Sequence, residues 1–442
     1  MSKQVTFKTE PNGKLTGSIR VTGDKSISHR SIMLGSLAEG TTEITGFLNG
    51  EDCLATIKAF RAMGVTINGP ENGNVSIQGV GMRGLKAPAD DLDMGNSGTA
   101  MRLLTGVMAG QFFDSVLIGD ASLSTRPMRR ITKPLSQMGA TIATDDNGTP
   151  PLSITGDRNL TGIHYDLPVA SAQVKSAILL AGLYAEGETS VTEPAVTRDH
   201  TERMLRGFGY DVVTEGNRMS LNGGGKLTAT NIDVPADISS AAFFMVGASI
   251  AEGSDLTLEH VGINPTRTGV IDILKLMGAD ITLSNEKEVG GEPVADIRIR
   301  SAKLKGIHIP EALVPLAIDE FPSLFVAACF AEGTTVLTGA EELRVKESDR
   351  IQVMADGLLA CGADVTPTDD GIIIKGSAKF GAGEVDSHGD HRIAMSFAMA
   401  GLCAQGSIVI NDCENVDTSF PNFIDIASKA GVRVNVFQDE SH

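Results

Sequence analysis

The sequence predicts an α/β protein of two domains, each made of three βαβαββ-type repeats with apolar helices buried at the centre and sheets around them. Three observations predict it. A small-residue helix end, a Gly and then a β-branched run recurs six times: LAEGTTEI at Gly40, MAGQFFDSVLI at Gly110, YAEGETSV at Gly187, IAEGSDLTL at Gly253, FAEGTTVL at Gly333 and CAQGSIVI at Gly406. A second signature follows each copy 22 to 29 residues later: AMGVTI at Gly64, QMGATI at Gly139, GFGYDV at Gly209, LMGADI at Gly278, ACGADV at Gly362 and KAGVRV at Gly431. Finally, 442 residues are too many for one ordinary core, and units of roughly 70 to 80 residues divide them into two groups of three.

Each unit reads as strand, apolar helix, Gly, strand, amphipathic helix, Gly, strand, usually with one strand more. The Gly of the second signature is placed to end its helix in the left-handed conformation before a strand begins. The first helix of a unit is apolar nearly all round, as in the runs 241–246 and 323–330, and is therefore expected inside. The second helices, such as 52–63 and 268–277, carry polar faces and are expected outside.

A hydrophobic content of 41% with 21% charged residues is that of a soluble globular chain. A net charge of −18 argues against a nucleic-acid partner, which is bound through excess Lys and Arg. It also makes local clusters of Lys and Arg informative, pointing to an anionic small molecule. The five cysteines form no CxxC pair and fit reduced thiols of a cytoplasmic protein. The N-terminus lacks the apolar core of a signal peptide, and the greasiest run, 241–251, falls far short of the roughly 20 residues that span a bilayer. No membrane association is expected.

If the buried helices of a domain run the same way, their N-termini gather on one side. Most of these starts are rich in groups that bind anions or move protons. The first is Gly23-Asp24-Lys25-Ser26-Ile27-Ser28-His29-Arg30, where a strand meets a helix and Lys25, Ser26 and Arg30 surround the positive end of a dipole. It is no Walker A loop, because Asp24 stands where Gly must precede Lys-Ser. The second is Asn96-Ser97-Gly98-Thr99-Ala100-Met101-Arg102, where Gly98 admits close approach of a ligand to the backbone. The third is Ser171-Ala172-Gln173-Val174-Lys175. The fourth, Pro235 to Ser240, carries no cation and reads as an Asp or Ser cap. The fifth holds Asp319-Glu320-Phe321-Pro322, where Asp319 is a helix cap or a functional carboxylate. At the sixth, His388-Gly389-Asp390-His391-Arg392 fits no metal-ligand pattern and is better read as a cap at Asp390 with Arg392 holding an anion. Three further basic motifs lie between, at 125–130, at Arg198-Asp199-His200-Thr201-Glu202 and at 344–350. On a helix, Lys346 and Arg350 share a face with Glu347 beside them, as a surface pair or as working groups.

At these residues the chain resembles the 5-enolpyruvylshikimate-3-phosphate synthases among the enolpyruvyl transferases. The resemblance runs over essentially the whole chain, through GDKSISHR, GNSGTAMR, STRPM, ASAQVKSA, RVKESDR, GDHRIAM and SFPNF. It implies an inside-out α/β barrel in each of two domains with a ligand cleft between them. One domain comprises residues 1–20 and 237–442, the other 21–236, with hinge crossings near 20–22 and 235–238. The implied reaction joins shikimate 3-phosphate to phosphoenolpyruvate and releases phosphate, without metal or organic cofactor, in a cytoplasmic monomer. By resemblance Lys25, Ser26, Arg30, Ser171, Ala172, Gln173, Arg198, Asp319 and Lys346 bind shikimate 3-phosphate. Lys25, Asn96, Gly98, Arg126, Gln173, Arg350 and Arg392 hold phosphoenolpyruvate. Asp319 and Glu347 transfer protons, assisted by Lys25. Such chemistry needs a base near the attacked hydroxyl and an acid near the methylene carbon, which two carboxylates in separate environments can supply.

The chain departs from the best-known bacterial pattern in several places. Ala172 stands for the second Ser of a Ser-Ser-Gln triplet, Thr418 for a Lys before TFP, and Leu103 for a Pro. GDK at Gly23, RDHTE at Arg198, SAQVK at Ser171 and NPTR at Asn264 resemble the second class of the family, and weakened inhibition by glyphosate is expected. The sister enzyme acting on UDP-N-acetylglucosamine typically carries a Cys in the loop 119–126, whereas no Cys lies between Cys53 and Cys329 here. A non-catalytic anion-binding repeat protein would explain the cations but not Asp319 and Glu347 among them.

Overall fold

Six sheets, one per repeat, organise the residues that the computed structural model describes, 4–376 and 379–439. The second repeat shows the plan. A strand at Leu92–Asp93 leads through the helix Gly98–Ala109 to the strand Ser115–Ile118, and the helix Arg129–Gln137 leads on to the strands Thr141–Ala143 and Leu152–Thr155. In space the four strands lie in the order first, second, fourth, third, with the first pair parallel and the others antiparallel. A helical crossover returns the chain parallel to where it started, whereas the tight connection before the last strand forces an antiparallel pair. The third repeat has the same order.

The other repeats borrow strands. In the first, Leu227–Thr228 and Ile232–Asp233 lie parallel to Ala38–Thr45 as its edge. In the fourth, Thr16–Ile19 lies parallel to Asp255–Gly262. In the sixth, Gln4–Thr9 sits between Ile408–Asn411 and Val434–Asp439, antiparallel to both. The fifth departs from the plan: its sheet has three strands, and only the bridges Lys305–Glu332 and His308–Val336 mark where a first strand would lie. Pro310 has no N–H to give a ladder there.

The helices divide as their patterns predict. Every residue of Phe321–Cys329 is buried, and of Ile238–Ile250 all but the last. Each fully buried Leu or Phe contributes about 1.5–3 kcal/mol, so these helices anchor their cores. Between Gly98–Ala109 and Ala172–Gly182 the approach is close enough that a Cβ on Gly106 would lie 2.3 Å from the Ala177 carbonyl oxygen. The six glycines of the second signature all have φ between +79° and +129°, the conformation that ends a helix without penalty only at Gly.

The chain separates into two compact units. One runs to Thr22 and resumes over Ala236–Lys287 and from Pro293, with the central helices Ile238–Ile250, Phe321–Cys329 and His391–Ala400. The other spans Gly23–Pro235, with Lys25–Leu37, Gly98–Ala109 and Ala172–Gly182, and includes Glu288–Glu292 from the tip of a long hairpin.

Candidate active site

In the unit that begins at Gly23, Asp24 caps the first central helix, its carboxylate accepting from Ile27 N at 2.9 Å. Lys25 is therefore the first helical residue. A cation there opposes the helix dipole by about 0.3–1 kcal/mol, a cost that a bound anion removes. Its ammonium pairs with Asp52 of the neighbouring helix Glu51–Ala62 while remaining about half exposed. One turn on, Arg30 is buried and fully engaged. Its Nε donates to Thr201 Oγ1 at 2.8 Å, Nη1 to the Ser26 carbonyl at 3.1 Å and Nη2 to Ser176 Oγ at 3.3 Å. Burial lowers its pKa to about 10, with Asp24 opposing, so it stays charged at neutral pH.

Thr201 and Ser176 are also joined directly, at 2.7 Å. Beside that rung, Lys175 lies buried between Glu193 at 2.8 Å and Glu202 at 3.1 Å. Burial raises the pKa of Glu202 even with Lys175 against it. The helices Ala172–Gly182 and His200–Gly207 are thus locked together. Arg198 precedes the second of them, partly buried, and its charge helps to lower the Arg30 pKa.

Two guanidinium groups converge on the start of the Gly98 helix. A Cβ at Gly98 would lie 2.9 Å from Arg126 Nη1 and 3.1 Å from Arg102 Nη1. Arg126 donates to Asn96 Oδ1 at 3.2 Å, and Asn96 donates to Asp120 at 3.0 Å. Arg102 donates to Gln173 Oε1 at 2.7 Å, and Gln173 donates to Thr99 Oγ1 at 2.9 Å. Burial first, then Arg126 and Arg130, lowers the pKa of Arg102. Like charges gathered at a helix N-terminus make a receptor for an anion. Ser171 caps its own helix, accepting from Val174 N at 3.3 Å, and Ala172 beside it offers only a methyl group.

In the other unit Arg350 is the hub. Its buried guanidinium donates from Nε to Asp390 Oδ2 at 2.9 Å and from Nη2 to Glu347, and its Nη1 stands 3.7 Å from Asp319. Lys346 lies 3.8 Å from Asp319 and 3.1 Å from Glu342. Asp390 also accepts from Ser348 Oγ at 2.8 Å and from Arg392 N at 3.1 Å, capping the His391–Ala400 helix. Burial opposes ionisation of Asp390, but the charge and hydrogen bonds of Arg350 outweigh it and lower its pKa. Burial likewise works against the charge on Arg392, yet Asp319, Asp237, Glu320 and Glu347 together raise its pKa. His391 is held neutral by burial and by Arg392, with its pKa lowered to about 4.

The structure corrects two local readings. Lys346 and Glu347 do not share a helix with Arg350. Glu341–Val345 is a 3-10 turn, and the helix starts only at Arg350, because the Asp349 carboxylate caps it through Gln352 N. Asp319 does not cap the helix at Phe321 either. It lies in the 3-10 turn Ile318–Glu320, facing Lys346 and Arg350. Among the described residues no trio of His, Cys, Asp or Glu is grouped to hold a metal ion.

Sequence reasoning gave no role to several groups that the structure places beside these residues. Asp52 pairs with Lys25, and Arg102, named in the second helix start but given no ligand, lies over Gly98, as its i,i+4 spacing allows. The fourth helix start is capped by Asp237 as expected but is not without a cation, since Arg267 of the NPTR run donates to Asp237 at 2.8 Å and to Ser239 Oγ at 2.9 Å.

Comparison with known proteins gives a consistent result. The family model described as EPSP synthase (3-phosphoshikimate 1-carboxyvinyltransferase) matches residues 9–426. The 3-phosphoshikimate 1-carboxyvinyltransferase of Hydrogenovibrio crunogenus is 66% identical, covering 99% of this chain and 100% of its own. That of Alkalilimnicola ehrlichii is 67% identical over 96% of both. The solved EPSP synthase of Acinetobacter baumannii superposes with a TM-score of 0.96 at 67% identity, covering 98% of this chain and all of its own.

Proposed function

The chain belongs to the EPSP synthase family and is a 3-phosphoshikimate 1-carboxyvinyltransferase of the shikimate pathway, and from that premise we propose how its residues divide the work. Enolpyruvyl transfer from phosphoenolpyruvate to the 5-hydroxyl of shikimate 3-phosphate proceeds by addition and then elimination of phosphate. Both substrates are polyanions, so their mutual repulsion must be offset by cations. We assign the shikimate phosphate and ring to Lys25, Ser26, Arg30, Ser171, the Ala172 backbone, Gln173, Arg198, Asp319 and Lys346. Phosphoenolpyruvate is assigned to Lys25, Asn96, Gly98, Arg126, Gln173, Arg350 and Arg392. Planar Arg groups suit the carboxylate and phosphate forks.

Asp319 and Glu347 carry the proton traffic: deprotonation of the 5-hydroxyl, protonation of the methylene carbon, and the reverse on loss of phosphate. The observation behind this reading is that both carboxylates lie against one guanidinium, Arg350, in unlike surroundings. Asp319 is 17% exposed and Glu347 57%. Separate environments are what two carboxylates need for separate roles. Asp319→Asn and Glu347→Gln should each lower phosphate release by about 10²-fold or more, with shikimate 3-phosphate binding by calorimetry retained. Near-normal turnover in either variant removes that residue from the role.

The second-class motifs and Arg198 support weak inhibition by glyphosate; inhibition competitive with phosphoenolpyruvate at low micromolar concentrations would overturn it. We also assign the enzyme to the cytoplasm as a monomer, testable by fractionation and by sedimentation.

A further inference from the structure

An acidic residue at a helix N-cap normally folds its carboxylate back onto the first free N–H groups. Glu320 occupies that position before Phe321–Cys329 and makes no such bond. Its buried side chain turns instead to the neighbouring central helix, accepting from Ser239 Oγ at 3.1 Å. Ser239 is itself held by Arg267, which also grips Asp237, so a continuous polar chain runs Asp237–Arg267–Ser239–Glu320. All four side chains are buried or nearly so. Glu320 closes the 3-10 turn whose middle residue is Asp319. Asp319 forms ion pairs at 3.7 Å with Arg350 and 3.8 Å with Lys346.

We propose that Glu320 is a positioning residue for enolpyruvyl transfer: through Ser239 and Arg267 it pins the turn that aims the Asp319 carboxylate. The proposal rests on the reading of Asp319 as a proton-transfer group. The physical reason is that a flexible turn would leave Asp319 in several orientations, and catalysis falls steeply when a reacting group is misplaced by about 1 Å. A buried carboxylate with a fixed acceptor geometry removes that freedom. Arg267 reaches Glu320 only through Ser239, and Glu320, with Asp319 and Asp237, favours the charge on the buried Arg392. Glu320 touches no substrate in this scheme. Its effect belongs to kcat.

The test compares Glu320→Ala, Glu320→Gln, Ser239→Ala and the double variant Glu320→Ala/Ser239→Ala in the full-length enzyme. Glu320→Gln keeps an oxygen acceptor for Ser239 and should hold kcat within threefold of the parent. Glu320→Ala and Ser239→Ala should each lower kcat about tenfold or more, with the Kd of shikimate 3-phosphate by calorimetry unchanged within twofold. Because both substitutions cut one link, the double variant should be no slower than the slower single. Additive losses, a Glu320→Gln enzyme as slow as Glu320→Ala, or full turnover in Glu320→Ala would each overturn the proposal. Loss of shikimate 3-phosphate affinity beyond that of Asp319→Asn, in parallel with kcat, would do so too, by exposing a merely structural role. If Glu320→Ala does not fold, the comparison of Ser239→Ala with Glu320→Gln decides. Asp319→Asn is measured alongside: normal turnover there removes the reading of Asp319, whereas a crippled Asp319→Asn with an intact Glu320→Ala removes only the role of Glu320.

Discussion

Lys25 is a cation held where the helix field disfavours one, steadied by Asp52 and still half exposed. Such a placement makes sense for a group that meets phosphate. Replacement by Met should therefore raise KM for both substrates by at least tenfold in initial-rate measurements, and an effect on one alone would mean that Lys25 is misassigned. Gly98 gives a second prediction. A methyl group there meets Arg126 Nη1 at 2.9 Å and Arg102 Nη1 at 3.1 Å, so both guanidinium groups must shift. Gly98→Ala should raise KM for phosphoenolpyruvate several-fold while KM for shikimate 3-phosphate changes less than twofold. The residues at these helix starts were legible because Gly, Lys and Arg fall repeatedly at the same point of the repeat. Asp52 was not, since its pairing with Lys25 joins residues from different helices and leaves no local pattern.

Among the elements, the pairing of Ala172–Gly182 with His200–Gly207 rests on a buried charge cluster. Lys175 is buried between Glu193 and Glu202, and removing it leaves two carboxylates without their cation. Breaking a buried pair in this way costs about 3–5 kcal/mol. Lys175→Met should lower the urea midpoint and Tm markedly, and a triple exchange of Lys175, Glu193 and Glu202 for apolar residues of similar size should recover much of the loss. An unchanged midpoint in Lys175→Met would show that the triad carries no net stability. The same locking places Thr201 and Ser176 where they hold Arg30, so a weakened triad should also raise KM for shikimate 3-phosphate.

Taken whole, the molecule holds two histidines neutral, the buried His29 and the half-buried His391. Burial, then the charge of Lys25, lowers the His29 pKa to about 3, and His391 sits at about 4. Below about 6.5 the unfolded chain takes up protons on these residues that the folded protein refuses, so stability falls as pH drops from 6.5 toward 4. Asp412 acts the other way. A hydrogen bond with Glu414, then burial, raises its pKa to about 6, so the folded state takes its proton first and gains stability as pH falls through 6. Glu202, its pKa raised by burial, adds a gain of the same sign, but both histidines lose over the whole span from 6.5 to 5, whereas Asp412 gains only below 6. The urea midpoint should therefore be lower at pH 5 than at pH 7, and His391→Asn should flatten that slope; a slope unchanged by the substitution would show that His391 does not contribute.

The sequence by itself determined the repeat, its buried and exposed helices, the glycines that end the outer helices and the residues at most of the helix starts. These are local properties: periodicity, a left-handed Gly and a capping carboxylate each act within a few residues. Only the tertiary structure decided which strand completes which sheet, with Gln4–Thr9 finishing the sixth and Thr16–Ile19 opening the fourth. It alone put Arg267 over the fourth helix start, freed Asp319 from capping and set Glu320 against Ser239. Those outcomes depend on contacts between residues far apart in the chain, where packing and burial choose the partner and no spacing along the sequence records the choice.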